Sequence, residues 1–184
     1  MKIYHSKQEL EKNINNLDSP ILFLDTDEKE IRKIIEFLKA KGKQKPLAVF
    51  GRDNNFNRRV IETCKISFLI SPERETEEMI KKGERRRDSL KQRDSGLNHV
   101  LAKEAIKKGI EIVIDFSEIK KIQGKQQALR LARVIQNIKI CRKAKCKILI
   151  WDFSEKEKAT NKELMNFAFS LGMSSQQAKE AIKE

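Results

Sequence analysis

A hydrolytic metal centre on an α/β scaffold needs histidines and carboxylates gathered where loops leave the C-terminal ends of parallel strands. In this sequence those places hold Asp25, Asp115 and Asp152, with His5 after the first apolar run. His99 is the only other histidine, and neither belongs to an HxH or HxxxH pair, which makes a poor zinc or manganese site. Three carboxylates can still hold magnesium, but an aspartate at a strand end more often caps the next helix or pairs with a nearby cation. Nucleophilic and nucleotide chemistry find no more support: GxSxG, GxGxxG and GxxxxGK motifs are all absent, and no cysteine has a histidine near it in sequence. The residues therefore argue for a chain that does no catalysis alone. The alternative is a free-standing metal-dependent barrel phosphoesterase or nuclease using Asp25, Asp115 and Asp152.

Charge is the stronger signal. Forty Lys and Arg against 27 Asp and Glu leave a net charge of +13, and a pI of 9.7 points to a polyanionic partner, nucleic acid first. The surplus is concentrated in KKGERRRDSLKQR, residues 81 to 93. Lys81, Lys82, Arg85, Arg86, Arg87, Lys91 and Arg93 there face only Glu84 and Asp88. An arginine triplet on a loop suits bidentate phosphate contact, although charge runs are also common on plain solvated surfaces. Arg52, Arg58 and Arg59, with three asparagines in GRDNNFNRR, can add contacts from a neighbouring loop or simply open a capped helix. With one Tyr, one Trp and most of the nine Phe in apolar runs, phosphate contact is expected rather than base stacking.

The elements that position these residues follow from apolar periodicity. Short β-branched runs at 2–4, 21–24, 47–50, 66–70, 112–114 and 148–151 read as strands buried on both faces, with a seventh expected around Arg86 to Leu90. Helical patterns alternate with them. One starts after Asp27, with Glu30 at capping-box spacing; one starts near Gly96 with Ser95 as its cap; one fills 125–145; two more start at Thr160 and Ser174. Alternation implies a mainly parallel sheet in one domain over residues 1–184, either a short irregular barrel or an open doubly wound sheet. Three cysteines without a CxxC pair fit a reducing, cytoplasmic setting, and no apolar run has the roughly 20 residues of a membrane span.

The run RDSGLNHVLAKEA at 93–105 resembles the signature of archaeal ribonuclease P protein component 3. IDFSEI at 114–119, ALRLARVIQNIKICRKAKCK at 128–147 and SLGMSSQQAKEAI at 170–182 resemble the same family in the same order. The resemblance covers the second half well and the first half through its spacing of strands and helices. It implies a TIM-like (β/α) barrel, short or irregular with about seven parallel strands. It also implies a noncatalytic RNA-binding subunit of the ribonucleoprotein that removes the 5′ leader from precursor tRNA. The implied partners are ribonuclease P RNA, ribonuclease P protein component 2 and other protein subunits, with precursor tRNA met through the complex and no membrane. No cofactor is expected on the protein itself, Mg²⁺ being used by the RNA. Where phosphoesterase relatives carry a second histidine two residues after the first, this sequence has Lys7, so inherited metal catalysis is not expected. In the first turn of the helix near Gly96, Asn98 and His99 are candidates for holding an anion beside Ser95.

Overall fold

A computed structural model describes residues 2–17, 19–83, 86–89 and 92–182. Six strands run β1 (Ile3–Tyr4), β2 (Leu22–Leu24), β3 (Leu47–Phe50), β4 (Phe68–Ile70), β5 (Glu111–Asp115) and β6 (Ile148–Trp151). The helices between and after them are α1 (Lys7–Lys12), α2 (Glu28–Ala40), α3 (Asn54–Thr63), α4 (Glu77–Lys81), α5 (His99–Lys107), α6 (Phe116–Lys121), α7 (Gly124–Ala144), α8 (Asn161–Ser170) and α9 (Ser175–Ala181). Every strand pairs in parallel with its successor, giving the spatial order β1-β2-β3-β4-β5-β6. A sheet wound in one direction places all its crossover helices on one side, which is the TIM-like arrangement and not the doubly wound one.

Strand alternation confirms the two sides. Tyr4, Leu22, Leu24, Leu47, Val49, Leu69, Ile112, Ile114, Ile148 and Ile150 join the helices in the larger core, while Ile3, Phe23, Ala48, Phe50, Phe68, Ile70, Val113, Leu149 and Trp151 form a second cluster on the opposite face. That second face is concave. Phe23 on β2 lies 6.2 Å from Trp151 on β6, and Phe68 on β4 lies 4.9 Å from it. In a flat sheet four strand spacings would hold β2 and β6 roughly 19 Å apart. The sheet therefore curls around its own aromatic filling, with Phe153 packed edge-on to Phe23 and Trp151. Among the described residues no ladder joins β6 back to β1.

The expected seventh strand is not formed over 86–89, and Leu90 lies outside the described residues. That segment spends its bonding groups locally instead: Ser89 N–H donates to the Gln92 carbonyl, and Arg86 N–H donates to Glu75. Local cap signals fared unevenly. Thr160 and Glu163 make a full reciprocal capping box on α8, and Asp27 caps α2, but Glu30 turns away to accept from Lys7 N–H at 2.7 Å. The cap of α5 is Asn98, not Ser95. Gly96 has φ +72°, a left-handed conformation that cannot begin a helix, so α5 starts three residues later than the sequence implied.

Candidate nucleic-acid interface

The C-terminal ends of the strands hold the three aspartates, each with its own structural partners. Asp115 accepts from Ser117 Oγ at 2.6 Å and from Glu118 N–H at 3.0 Å as the cap of α6; burial pushes its carboxyl up, against the effect of those bonds. Asp152 accepts from Ser154 Oγ and N–H, from Ala159 N–H and from Lys120. Burial there works upward too, but these bonds outweigh it and hold the carboxyl down at about 2. Asp25 meets Arg74 at 2.6 Å and Arg52 at 3.5 Å, and its carbonyl faces exposed His5 Nδ1 at 2.9 Å. Arg74 also donates to the Gly51 carbonyl at 2.6 Å and lies over Phe50, so a guanidinium closes this end of the curled sheet. Among the described residues no three His, Cys, Asp or Glu side chains gather in a group that could hold a metal ion.

Beside this mouth, a buried ionic frame ties Glu73, Glu75, Asp88, Arg93 and Ser95 to α7. Arg130 pairs with Glu73 and Glu118, each at 2.9 Å; Arg133 pairs with Asp88 at 2.8 Å and Glu75 at 3.2 Å. Asn137 donates to the Ser95 carbonyl, and Gln136 brackets Arg93 by accepting from its N–H and donating to its carbonyl, both at 2.7 Å. Buried charges demand partners of this quality. None of these α7 residues was singled out from sequence. Four charged or amide residues spaced along one side of a helix, Arg130, Arg133, Gln136 and Asn137, are the available signal.

Arg86 belongs to the same frame, which corrects the expectation of an arginine triplet presented together to solvent. Its side chain is 1 % exposed and pairs with Asp94 at 3.2 Å. Its guanidinium also donates to the carbonyls of Arg52, Pro72 and Arg74. Burial lowers its pKa, opposed by the attraction of Asp94 and Glu73. Four stretches of chain are thereby tied through one side chain, and Asn57 ties three of them again through the carbonyls of Arg52, Pro72 and Gly96. The approach is so close that a Cβ on Gly96 would lie 1.8 Å from the Pro72 oxygen, and one on Gly51 would lie 2.6 Å from the Pro72 Cα. The RDSGLN run is thus held by packing: Ser95, Gly96 and Leu97 are buried, and Asn98 Oδ1 takes the N–H groups of Val100 and Leu101, both at 2.9 Å.

Of the sequence candidates, the structure brings Arg87, Arg93, Ser95 and Asn98 together with Asn54, Asn55 and Arg58 around a cavity of about 550 Å³. A second cavity of about 440 Å³ shares Asn54, Asn55, Arg87 and Asp94 with it and adds Arg59, with Arg86 in its wall. Arg52, Lys81, Lys82 and His99 line neither. Arg52 is half-buried between Asp25 and Glu78, Lys81 and Lys82 pair with Glu77 and Glu78 on α4, and His99 is exposed at the start of α5. Arg85 and Lys91 lie outside the described residues.

No protein-family model and no curated protein matches the chain. Among solved structures, it is similar to a chain of an archaeal ribonuclease P determined by cryo-EM with mature tRNA. That similarity has a TM-score of 0.62 and 19% identity, and it covers 97% of this chain and 76% of that one. It is also similar to an amidohydrolase (TM-score 0.61, 10% identity, 96% and 44% covered) and to an uncharacterized protein (0.58, 12%, 95% and 43%), so it spans under half the length of either. At these identities the likeness is one of fold: an α/β, TIM-like architecture common to ribonucleoprotein and hydrolase chains. No helix among the described residues is long and apolar enough to cross a membrane.

Proposed function

We propose that this chain is a noncatalytic, RNA-binding protein subunit of ribonuclease P, the ribonucleoprotein that removes the 5′ leader from precursor tRNA. It acts with ribonuclease P RNA, ribonuclease P protein component 2 and other protein subunits, meeting precursor tRNA through the complex. The observation that carries this reading is the TIM-like fold shared with a chain of an archaeal ribonuclease P over 97% of this sequence, in a protein of net charge +13. The site chemistry agrees with it. Each strand-end aspartate is engaged in a cap or an ion pair, and none of the three lines the cavity that gathers Arg58, Arg87 and Arg93. Hydrolysis then falls to the RNA and its own Mg²⁺, while the protein supplies positive charge and a rigid frame.

Copurifying the tagged protein from its source and sequencing bound RNA tests the reading; ribonuclease P RNA is the expected species. The purified chain is expected to leave precursor tRNA uncut with Mg²⁺ or Mn²⁺, and to support cleavage once RNA and partner proteins are added. Cleavage by the isolated chain, abolished by Asp25→Ala or Asp115→Ala, would overturn the proposal.

A further inference from the structure

We infer that the two joined cavities between the N-terminal ends of α3 and α5 form a trough that binds the phosphodiester backbone of an RNA strand, with Arg58, Arg59, Arg87 and Arg93 as the phosphate contacts. The inference deepens the proposed function by placing its RNA contact on one face, and it rests on that reading only for which RNA is bound.

Three observations carry it. The first is the charge balance: five arginines but only two aspartates line the trough, and both aspartates are already engaged. Asp53 caps α3 through Asn55 and Phe56 N–H, and Asp94 is taken by Arg86, Asn54 and the Arg87 N–H. Setting Arg86 against Asp94 leaves four lining arginines against Asp53, so the field left over is positive.

Availability is the second. Exposed Arg87 and half-exposed Arg93 have no side-chain hydrogen bond or ion pair among the described residues; Arg93 acts only at a distance on Asp88, which Arg133 already claims. Arg58 and Arg59 pair with Glu62 and Glu28 at 2.8 and 2.5 Å, but their side chains are 65% and 54% exposed. The Arg58–Glu62 pair is exposed on both sides and weak, so a phosphate can displace that glutamate; Glu28 is only 16% exposed and also held by Arg32, so Arg59 meets a phosphate through the donors its Nε bond to Glu28 leaves free.

The third is the chemistry between the arginines. Exposed Asn55, Gln92 and Asn98 offer side-chain amide groups of the kind that meet phosphate and ribose oxygens, whereas the apolar lining residues Leu97, Leu101 and Met79 are buried. A protein-docking surface would instead show an apolar centre. Arg86 behind the trough fixes its wall without touching the ligand, since its guanidinium is fully occupied.

The test is fluorescence anisotropy of the full chain with a labelled twelve-nucleotide oligouridine and with an RNA duplex, each titrated across a range of salt. Arg58→Ala/Arg87→Ala/Arg93→Ala is expected to weaken binding at least tenfold at low salt. It should also flatten the salt dependence by about 0.7 of a log unit per lost phosphate contact on the single strand. Lys39→Ala/Lys143→Ala/Lys179→Ala, which removes as many exposed cations elsewhere, is expected to change little. Equal losses in both variants, or no binding of either RNA by the wild type, would overturn the site. Tighter binding of an oligoglutamate peptide than of RNA would overturn RNA as its occupant. Trough-dependent binding of these probes in a protein that does not copurify with ribonuclease P RNA keeps the site and sinks the subunit reading.

Discussion

Arg86 and Arg87 are neighbours in one basic run, yet they serve opposite ends. Arg86 is 1 % exposed and bonded to Asp94 and three carbonyls, while Arg87 is exposed with its side chain unengaged among the described residues. The difference recurs at larger scale between the ionic frame of Glu73, Asp88, Arg130 and Arg133 and the trough of Arg58, Arg87 and Arg93. The frame's two arginines and two acids cancel within the +13, so the surplus a polyanion meets rests on cations of the second kind, which lack a buried partner.

The comparison breaks most sharply at the frame. Arg86→Ala removes the cation beside Asp94 and leaves the carbonyls of Arg52, Pro72 and Arg74 without their donor. Breaking a buried pair by deleting one partner costs about 3–5 kcal/mol, which for a chain of this size lowers the melting temperature by roughly 10 °C. Gly96→Ala is expected to do comparable damage by another route, because its Cβ meets the Pro72 oxygen and its φ of +72° disfavours any side chain. Thermal melts followed by circular dichroism check both; a fall of only a degree or two for either would show the frame to be ornamental.

How much of this was legible in the sequence depended on distance along the chain. Strands β3 and β6 and the caps Asp27 and Thr160 were visible because their causes lie within a few residues. The choice between Ser95 and Asn98 as a cap was not, because it turns on the left-handed backbone of Gly96, packed against the Pro72 carbonyl from 24 residues away. Arg86 read as surface for the same reason: its partners come from positions 52, 72, 74 and 94, and a cage assembled from separate segments leaves no local pattern. The trough was half visible. The sequence marks Arg87, Arg93 and Asn98, and Arg58 and Arg59 read equally as a contact or a helix start, but nothing in it joins 54–59 to 87–98.

The strand-end aspartates offer an intermediate effect, with opposite signs in one fold. Asp152 is held near pH 2 against an ordinary 3.8, so its contribution is fully present above 3.8 and is lost as pH falls through about 2. At one pK unit per 1.36 kcal/mol, that contribution is of order 2 kcal/mol. Asp152→Asn is therefore expected to cost stability at pH 7 and to flatten the acid limb of the stability profile. Asp115 is raised by burial, so its contribution is present in acid, below 3.8, and lost as pH rises through its folded value. Asp115→Asn keeps an oxygen for the α6 cap and is expected to be harmless or mildly stabilising at pH 7. Urea melts at several pH values separate the two, and parallel profiles for both variants would contradict the assigned environments.

The smallest effect on stability is the one that sharpens the comparison furthest. Among the described residues the Arg87 side chain makes no hydrogen bond or ion pair, and the bond to Asp94 comes from the Arg87 backbone N–H at 3.1 Å, which alanine retains. Arg87→Ala should thus stay within about 0.5 kcal/mol of the wild type. Its neighbour's removal should be several times costlier, so the pair measured side by side in urea isolates burial as the cause, with residue type and sequence context nearly constant. An Arg87→Ala variant as unstable as Arg86→Ala would mean that the exposed arginine also braces the wall, and that the trough and the frame are one structure.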